Sequence, residues 1–303
     1  MSKRPTNKGP FCFLNGRYLP LAEATIPALD RGFLFGEGLF ETWRTYRGRP
    51  FAVKEHVQRM KRSARMLQIP FDPDENWEGR TLTLGRKNGM ASSSCAVRLT
   101  ITGGTGPVTL VPGPRQKPTR LMLFRPMESG LAEARENGVA VHLVDFGDGV
   151  NPTVRNLKAP SNYLTAVLGR TEARKRNCFE SLYRLKDGTV LEGTTSNVFA
   201  VMAGQLITTP VADGVLPGIT RALALRLGRR IAPVVERPLT VKDLAAADEI
   251  FITSSSIEVV PVTRAGRQRV GNGKVGELTR ELQKLYRAYV SRALGLPVDE
   301  LGE

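Results

Sequence analysis

Residues 191–199 read LEGTTSNVF. A carboxylate, Glu192, is followed by Gly193 and four polar residues, Thr194, Thr195, Ser196 and Asn197, between two apolar runs, LYRL at 182–185 and VFAVM at 198–202. Short apolar runs bounded by turn residues read as strands. The pairs Asp187-Gly188 and Ala203-Gly204 on either side are hairpin signals, because a tight hairpin needs positive φ. The same signal recurs upstream as Asn15-Gly16 in FCFLNGRYL (11–19) and as Arg47-Gly48. AVRLTIT (96–102), RLMLF (120–124) and 139–144 add strands. The glycine-rich GGTG at 103–106 follows a strand and precedes Pro107, so it reads as a hairpin loop. Helical spacing appears over 54–67, where Val57, Met60, Ala64 and Leu67 share a face and Pro70 and Pro73 stop the run. Further helices are expected at 76–90, 129–137, 160–176, 219–229 and 275–292. This mixture predicts an α/β (α+β) protein of two lobes: a disordered basic tail over 1–10, a smaller N-terminal α/β domain over 11–126, a linker over 127–134 and a larger C-terminal domain over 135–303.

The chain has 303 residues, 41% apolar and 24% charged, which excludes disordered and collagen-like classes and provides for a sizeable core. The net charge is +15. Those charges are scattered, and the densest run, RTEARKR at 170–176, reads as a solvated helix face. With no zinc finger, RNP motif or long basic arm, no specific nucleic-acid partner is expected. Cys12, Cys95 and Cys178 lie far apart without a CxxC, which fits a reducing cytoplasm. Two histidines and no HExxH leave no metal site to expect. No apolar run approaches the roughly 18 residues of a membrane helix.

There is no GxSxG, no GxxxxGK[ST] and no GxGxxG opening a helix. Four segments remain. Lys158, in NLKAPSNYL, reads by itself as a solvated lysine; a Schiff-base nucleophile would need desolvation or a nearby cation, and the local composition shows neither. Glu192 sits in a polar loop among many donors. PGITR (217–221) opens a helix whose first N–H groups, at Ile219 and Thr220, either are ordinary cap groups or bind a phosphate. TSSS (253–256) offers hydroxyls to an anion. Arg59 reads by itself as a surface arginine on the helix EHVQRM.

The order of these pieces carries more than any one of them. Asp30-Arg31-Gly32, Phe35-Gly36-x-Gly38-x-Phe40-Glu41 and Glu55-His56-x-x-Arg59 come first. Lys158 with Asn162-Tyr163-Leu164 follows, then Glu192-Gly193 with Asn197 and Phe199. Leu216-Pro217-Gly218-Ile219-Thr220-Arg221 and Asp248-Glu249 ahead of TSSSIEVVPV complete the set. Over about residues 11–290 the chain resembles the class IV pyridoxal-phosphate aminotransferases, a group that includes branched-chain aminotransferase, D-amino-acid aminotransferase and aminodeoxychorismate lyase.

The resemblance implies the fold of type IV: a smaller N-terminal α/β lobe, a larger cofactor-binding lobe around a β-barrel-like core, the cofactor between lobes, and a homodimer with the site near its interface. It implies pyridoxal 5'-phosphate as cofactor, with Lys158 attached to it and shuttling the substrate proton. Glu192 is then expected at the pyridinium nitrogen, where a carboxylate keeps the electron sink protonated. Tyr163 is expected at O3′, and Arg59, Ile219, Thr220, Ser254 and Ser255 at the phosphate. Thr195, Ser196 and Leu216 are expected along the ring.

The implied reaction is ping-pong transamination between small-molecule amino and keto acids in the cytoplasm. The alternatives are aminodeoxychorismate lyase, which releases pyruvate, and an amine-selective transaminase. Phe35, Phe40, Thr42, Arg44 and Arg98 fall where the family lines its substrate pocket, and Arg98 matches an arginine of the branched-chain pattern. The D-amino-acid enzymes place arginine and histidine around the next turn, where this chain has Gly103-Gly104-Thr105. The branched-chain enzymes prefer tyrosine near Phe35 and differ around Thr194-Thr195-Ser196. RGFLFGEGLFET (31–42) is closer to the lyase-type and uncharacterised members.

Overall fold

The computed structural model describes residues 9–113, 117–145 and 152–302. Residues 1–8 of the basic tail and 146–151 of a polar Gly/Asp/Asn segment lie outside the described residues. The chain divides into two compact units between Met127 and Glu128, and Ala159–Ser161 and Gly302 belong with the first.

The first unit is built on an antiparallel sheet. Its elements are β1 (Phe11–Leu14), β2 (Arg17–Pro20), α1 (Arg31–Phe35), β3 (Gly38–Tyr46), β4 (Arg49–Pro50), α2 (Val53–Met66), α3 (Trp77–Lys87), β5 (Cys95–Thr102) and β6 (Arg120–Pro126). The six strands run in the order β2-β1-β6-β5-β3-β4. Both expected turns are there: Asn15 (φ 49°) with Gly16 (φ 92°) closes β1 on β2, and Arg47 (φ 49°) with Gly48 (φ 78°) closes β3 on β4. The apolar face of α2 packs on β3, burying Val57, Met60 and Ala64 together with His56 and Arg59.

One feature departs from the sequence reading. The glycine-rich stretch after Asp30 begins with a short helix, α1, because the Asp30 carboxylate caps it by accepting from the Gly32 N–H at 2.8 Å and Gly36 (φ 67°) ends it. GGTG opens the loop of the antiparallel β5/β6 hairpin, as its sequence suggests, and this loop is a long connection. The buried Arg31 guanidinium holds that connection by donating to the carbonyls of Pro107 (3.1 Å), Thr109 (2.7 Å) and Leu110 (3.0 Å).

The second unit comprises α4 (Leu131–Asn137), β7 (Val139–Asp145), α5 (Pro152–Arg155), α6 (Tyr163–Lys175), β8 (Glu180–Arg184), β9 (Thr189–Gly193), β10 (Asn197–Met202), β11 (Gln205–Thr208), α7 (Ile219–Gly228), β12 (Val234–Glu236), β13 (Leu239–Thr240), α8 (Val241–Ala246), β14 (Glu249–Ser254), β15 (Glu258–Ala265), β16 (Gln268–Arg269) and α9 (Glu277–Leu294). Its sheet runs β12-β11-β10-β14-β15-β7-β8-β9-β13, with β16 paired to β15. The β15/β7, β7/β8 and β11/β12 pairs are parallel and the other pairs antiparallel.

The connectivity forces this sheet to curl. β9 and β10 stand five positions apart in the sheet, about 24 Å if it were flat. Only residues 194–196 join them, a stretch that spans at most about 15 Å. The two ends of the sheet are tied in the same way, since β12 passes to β13 through residues 237 and 238 alone. The result is a curled, barrel-like sheet with α7 and α9 packed on β14. LEGTTSNVF, the polar run between two strands, sits at the curl.

Candidate active site

In the second unit, Lys158 is half-buried between the buried Leu157 and Ala159. Asn162 fixes the chain around it, its Nδ2 donating to the carbonyls of Val154 (2.9 Å) and Leu157 (3.0 Å). One residue later α6 begins at Tyr163, and the Lys158 Nζ lies 5.9 Å from the centre of the Tyr163 ring. The expected neighbours Lys158 and Tyr163 are therefore together.

Glu192 ends in a fixed orientation. Both its carboxylate oxygens accept from the Leu216 N–H at 3.1 Å, and Oε2 also accepts from Asn197 Nδ2 at 2.9 Å. Asn197 Nδ2 in turn donates to the Leu216 carbonyl at 2.9 Å. Glu192 and Asn197 thus hold Leu216 by its backbone, three residues before the start of α7. A side chain on Gly218 would collide with Asn197 Oδ1, so glycine is required there by close approach. Gly218 caps α7 without a side-chain acceptor for the first-turn amides at Ile219 and Thr220. α7 packs on β14, and β14 ends at Ser254, where a short turn brings Ser254 Oγ and Ser256 Oγ within 3.4 Å.

Thr195 and Ser196 carry bonds that sequence reasoning missed. Their hydroxyls, with that of Thr194, converge on Glu180 at the head of β8. Thr194 Oγ1 donates to Glu180 Oε1 at 2.5 Å, Thr195 Oγ1 and Ser196 Oγ to Oε2 at 3.0 and 3.3 Å, and the Ser181 N–H to Oε1 at 2.9 Å. Glu180 is fully buried. An acid opening the apolar run ESLYR was the available sign, since a carboxylate there must be either surface-facing or well partnered. Next to it, the Tyr183 hydroxyl donates to Thr165 Oγ1 at 3.3 Å. Burial raises the Tyr183 pKa to about 12, and the negative fields of Glu180, Glu192 and the Tyr163 hydroxyl add to that rise against the Thr165 bond.

In the first unit, the β3/β5 register sets Thr42 against Arg98, Phe40 against Thr100 and Arg44 against Ala96. Directly opposed residues and every second residue along a strand share a face, so Phe40, Thr42, Arg44 and Arg98 lie on one side of the sheet. Arg98 is half-buried, its guanidinium 3.6 Å from the Phe40 ring centre and its Nε donating to Thr100 Oγ1 at 3.3 Å. Arg44 is fully buried, 4.4 Å over the Tyr46 ring. Phe35, half-buried at the end of α1, lies 4.8 Å from the Arg31 guanidinium.

Arg59 belongs to the opposite face, with α2. Far from being a surface arginine, it is 5% exposed, and it grips Glu41 with two bonds, Nε to Oε1 and Nη2 to Oε2, both 2.7 Å. His56 Nδ1 meets Glu41 Oε2 at 2.7 Å. Burial alone raises the Glu41 pKa, but the charge and hydrogen bonds of Arg59, with those of His56, outweigh it and lower the pKa to about 2.

The sequence pattern that defines amino-transferase class IV matches residues 38–265. A Methanocaldococcus jannaschii protein, provisionally named a branched-chain-amino-acid aminotransferase, is 36% identical over 279 residues, covering 91% of this chain and 94% of its own. The D-alanine aminotransferase of Staphylococcus haemolyticus is 32% identical over 281 residues, covering 92% of this chain and 97% of its own. Among solved structures, the PLP-form of the branched-chain amino acid aminotransferase from Thermobaculum terrenum superposes with a TM-score of 0.81 at 25% identity, covering 98% of this chain and 100% of that one.

Proposed function

The chain belongs to the class IV aminotransferase family, pyridoxal-phosphate enzymes of fold type IV, and from that premise we propose how its own residues carry out transamination between an α-amino acid and an α-keto acid. The lyase alternative is not favoured, because the relatives it matches are named aminotransferases. The observation that carries the proposal is the Glu192–Asn197–Leu216 constellation. It presents an oriented carboxylate beside a helix start with uncapped amides, the two features a pyridine ring with a phosphate arm requires.

When bound, pyridoxal phosphate supplies an electron sink for the substrate Cα. Lys158 Nζ would hold the cofactor and, once released by the amino donor, would serve as the general base that takes the Cα proton. Glu192 would keep a proton on the ring nitrogen, and the bonds from Leu216 and Asn197 hold its carboxylate in a fixed orientation for that task. Tyr163 orients the ring from its place beside Lys158. The amides of Ile219 and Thr220, the hydroxyls of Ser254 and Ser255, and Arg59 bind the phosphate. Leu216 packs on the ring. Thr195 and Ser196 line it through backbone and carbon atoms, since their hydroxyls are engaged by Glu180.

Substrates are taken at Phe35, Phe40, Thr42, Arg44 and Arg98. A common sheet face supports the grouping of the last four, and its half-buried position makes Arg98 the cation for a substrate carboxylate.

A homodimer with its site near the interface is the assembly we infer. Its support is the apolar surface of the first unit, where Phe33 is 77% exposed and Leu110 83%, in segments anchored by Arg31. Light scattering of the purified protein checks it. The cytoplasm is the inferred location, from three free cysteines and from the absence, among the described residues, of a helix long and apolar enough to cross a membrane.

Spectroscopy tests the function directly. The purified protein is expected to show a visible band that bleaches with borohydride. That band should also convert when one L- or D-amino acid is added without an acceptor, which names the donor and its handedness together. Lys158→Ala is expected to abolish both the band and turnover, and near-wild-type turnover in that variant would overturn the assignment. Pyruvate released from aminodeoxychorismate without a keto-acid acceptor would return the lyase.

A further inference from the structure

The turn that carries the candidate phosphate hydroxyls has an unusual residue at its foot. β14 pairs with β15 so that Ser254 faces Glu258, and three residues, 255–257, make the turn between them. Glu258 has φ 66°, in the left-handed region, and it is 1% exposed. Turn chemistry alone selects glycine or asparagine at such a position, and burial alone selects an apolar side chain. A glutamate satisfies neither preference, so its carboxylate is the reason for its presence. Glu258 Oε2 lies 3.4 Å from Arg287 Nη1 of α9 and 3.7 Å from Arg135 Nε of α4. Gln283 of α9 reinforces the junction, its Nε2 donating to the Val259 carbonyl at 3.0 Å and the Arg135 carbonyl at 2.9 Å. Two helices therefore grip the chain immediately behind the turn that places Ser254 and Ser256 side by side. Strained backbone held by surrounding contacts beside a binding turn is a recurrent way of fixing a ligand's partners in advance.

We infer that Glu258 is a positioning residue for the cofactor phosphate: held by Arg135 and Arg287, it keeps the Ser254–Ser256 turn in the conformation that receives the phosphate. The inference rests on the proposed phosphate role of that turn. It differs from a simple packing role in one respect: losing the carboxylate should weaken whatever binds through the phosphate and leave untouched what binds through the ring.

The experiment titrates cofactor-free protein with pyridoxal phosphate and, separately, with pyridoxal, which lacks the phosphate, and follows the visible absorbance. Glu258→Gln is expected to raise the Kd for pyridoxal phosphate about fivefold or more while leaving that for pyridoxal within about twofold. Glu258→Gly suits the left-handed backbone better but has no carboxylate, so it should show the same selective loss. Arg287→Gln, on a more exposed side chain, gives a milder loss of the same kind and serves if the Glu258 variants do not fold. An unchanged ratio of the two affinities overturns the inference, whether both stay at the wild-type value or both fall together. A wild-type protein that binds neither compound overturns the proposed cofactor site itself, and the inference with it.

Discussion

Glu41 in the first unit and Glu180 in the second are both buried, and these two carboxylates are satisfied in opposite ways. Glu41, in the first, is met by charge: the Arg59 guanidinium on both oxygens and His56 on one. Glu180, in the second, is met mainly by hydroxyls and amides from one short turn and by its own neighbour, with Arg170 Nη1 no closer than 3.9 Å. The first arrangement fixes an arginine between a helix and a strand. The second fixes a loop at the curl of a sheet. A buried carboxylate is costly either way, and the kind of partner decides what it organises. Cations give an ion pair whose loss leaves a bare charge behind. Hydroxyls give a network that loses one bond at a time.

The largest effect should follow from breaking the charged case. Glu41→Gln leaves the Arg59 charge buried without its counter-ion, at a cost of about 3–5 kcal/mol, readable as a lowered denaturant midpoint with an unchanged slope. Acid should do the same to the wild type. The Glu41 pKa is about 2 in the folded chain, against 4.5 as the ordinary value. Its contribution, roughly 3 kcal/mol, is therefore complete above about pH 5 and is lost as the pH falls toward 2. The acid limb of the unfolding curve should flatten over that window in Glu41→Gln, and an unaltered limb would show that Glu41 carries no such coupling. Glu180→Gln keeps the shape and one acceptor oxygen, so a smaller loss of about 1–3 kcal/mol is expected, accompanied by a fall in kcat as the 194–196 turn loosens. Equal losses in Glu41→Gln and Glu180→Gln would erase the distinction between the two. The smallest effect, about 1 kcal/mol by thermal melting, is expected of Thr195→Val, which removes a single donor to Glu180.

Much of the fold was legible because it is locally coded. Asn15-Gly16, Arg47-Gly48, Asp187-Gly188 and Ala203-Gly204 all close hairpins, since a tight hairpin turn needs residues that tolerate positive φ. The α2 face was readable from Val57, Met60 and Ala64, and its end from the two prolines. α1 was not, because a five-residue helix has no periodicity to detect and depends on the Asp30 cap. The loop between β5 and β6 was readable from GGTG, but its length was not, because a glycine-rich start looks the same in a tight loop and in a wide one. The candidate site divides the same way. Lys158, Glu192 and the PGITR helix start were found in order along the chain, but the partners of Thr195, Ser196 and Arg59 were not.

The sequence by itself determined the strands, most helices and the order of the chemistry-bearing residues, because turn stereochemistry and side-chain periodicity act over a few neighbouring positions. Tertiary structure alone decided that Arg59 is a buried partner of Glu41, that the Thr194–Ser196 hydroxyls serve Glu180, and that the long sheet curls until β9 hands directly to β10. Each of these joins groups from different elements, and a carboxylate carries no local mark of whether water, a cation or a ring of hydroxyls will surround it. Only the folded chain, by removing the water, makes one of those partners obligatory.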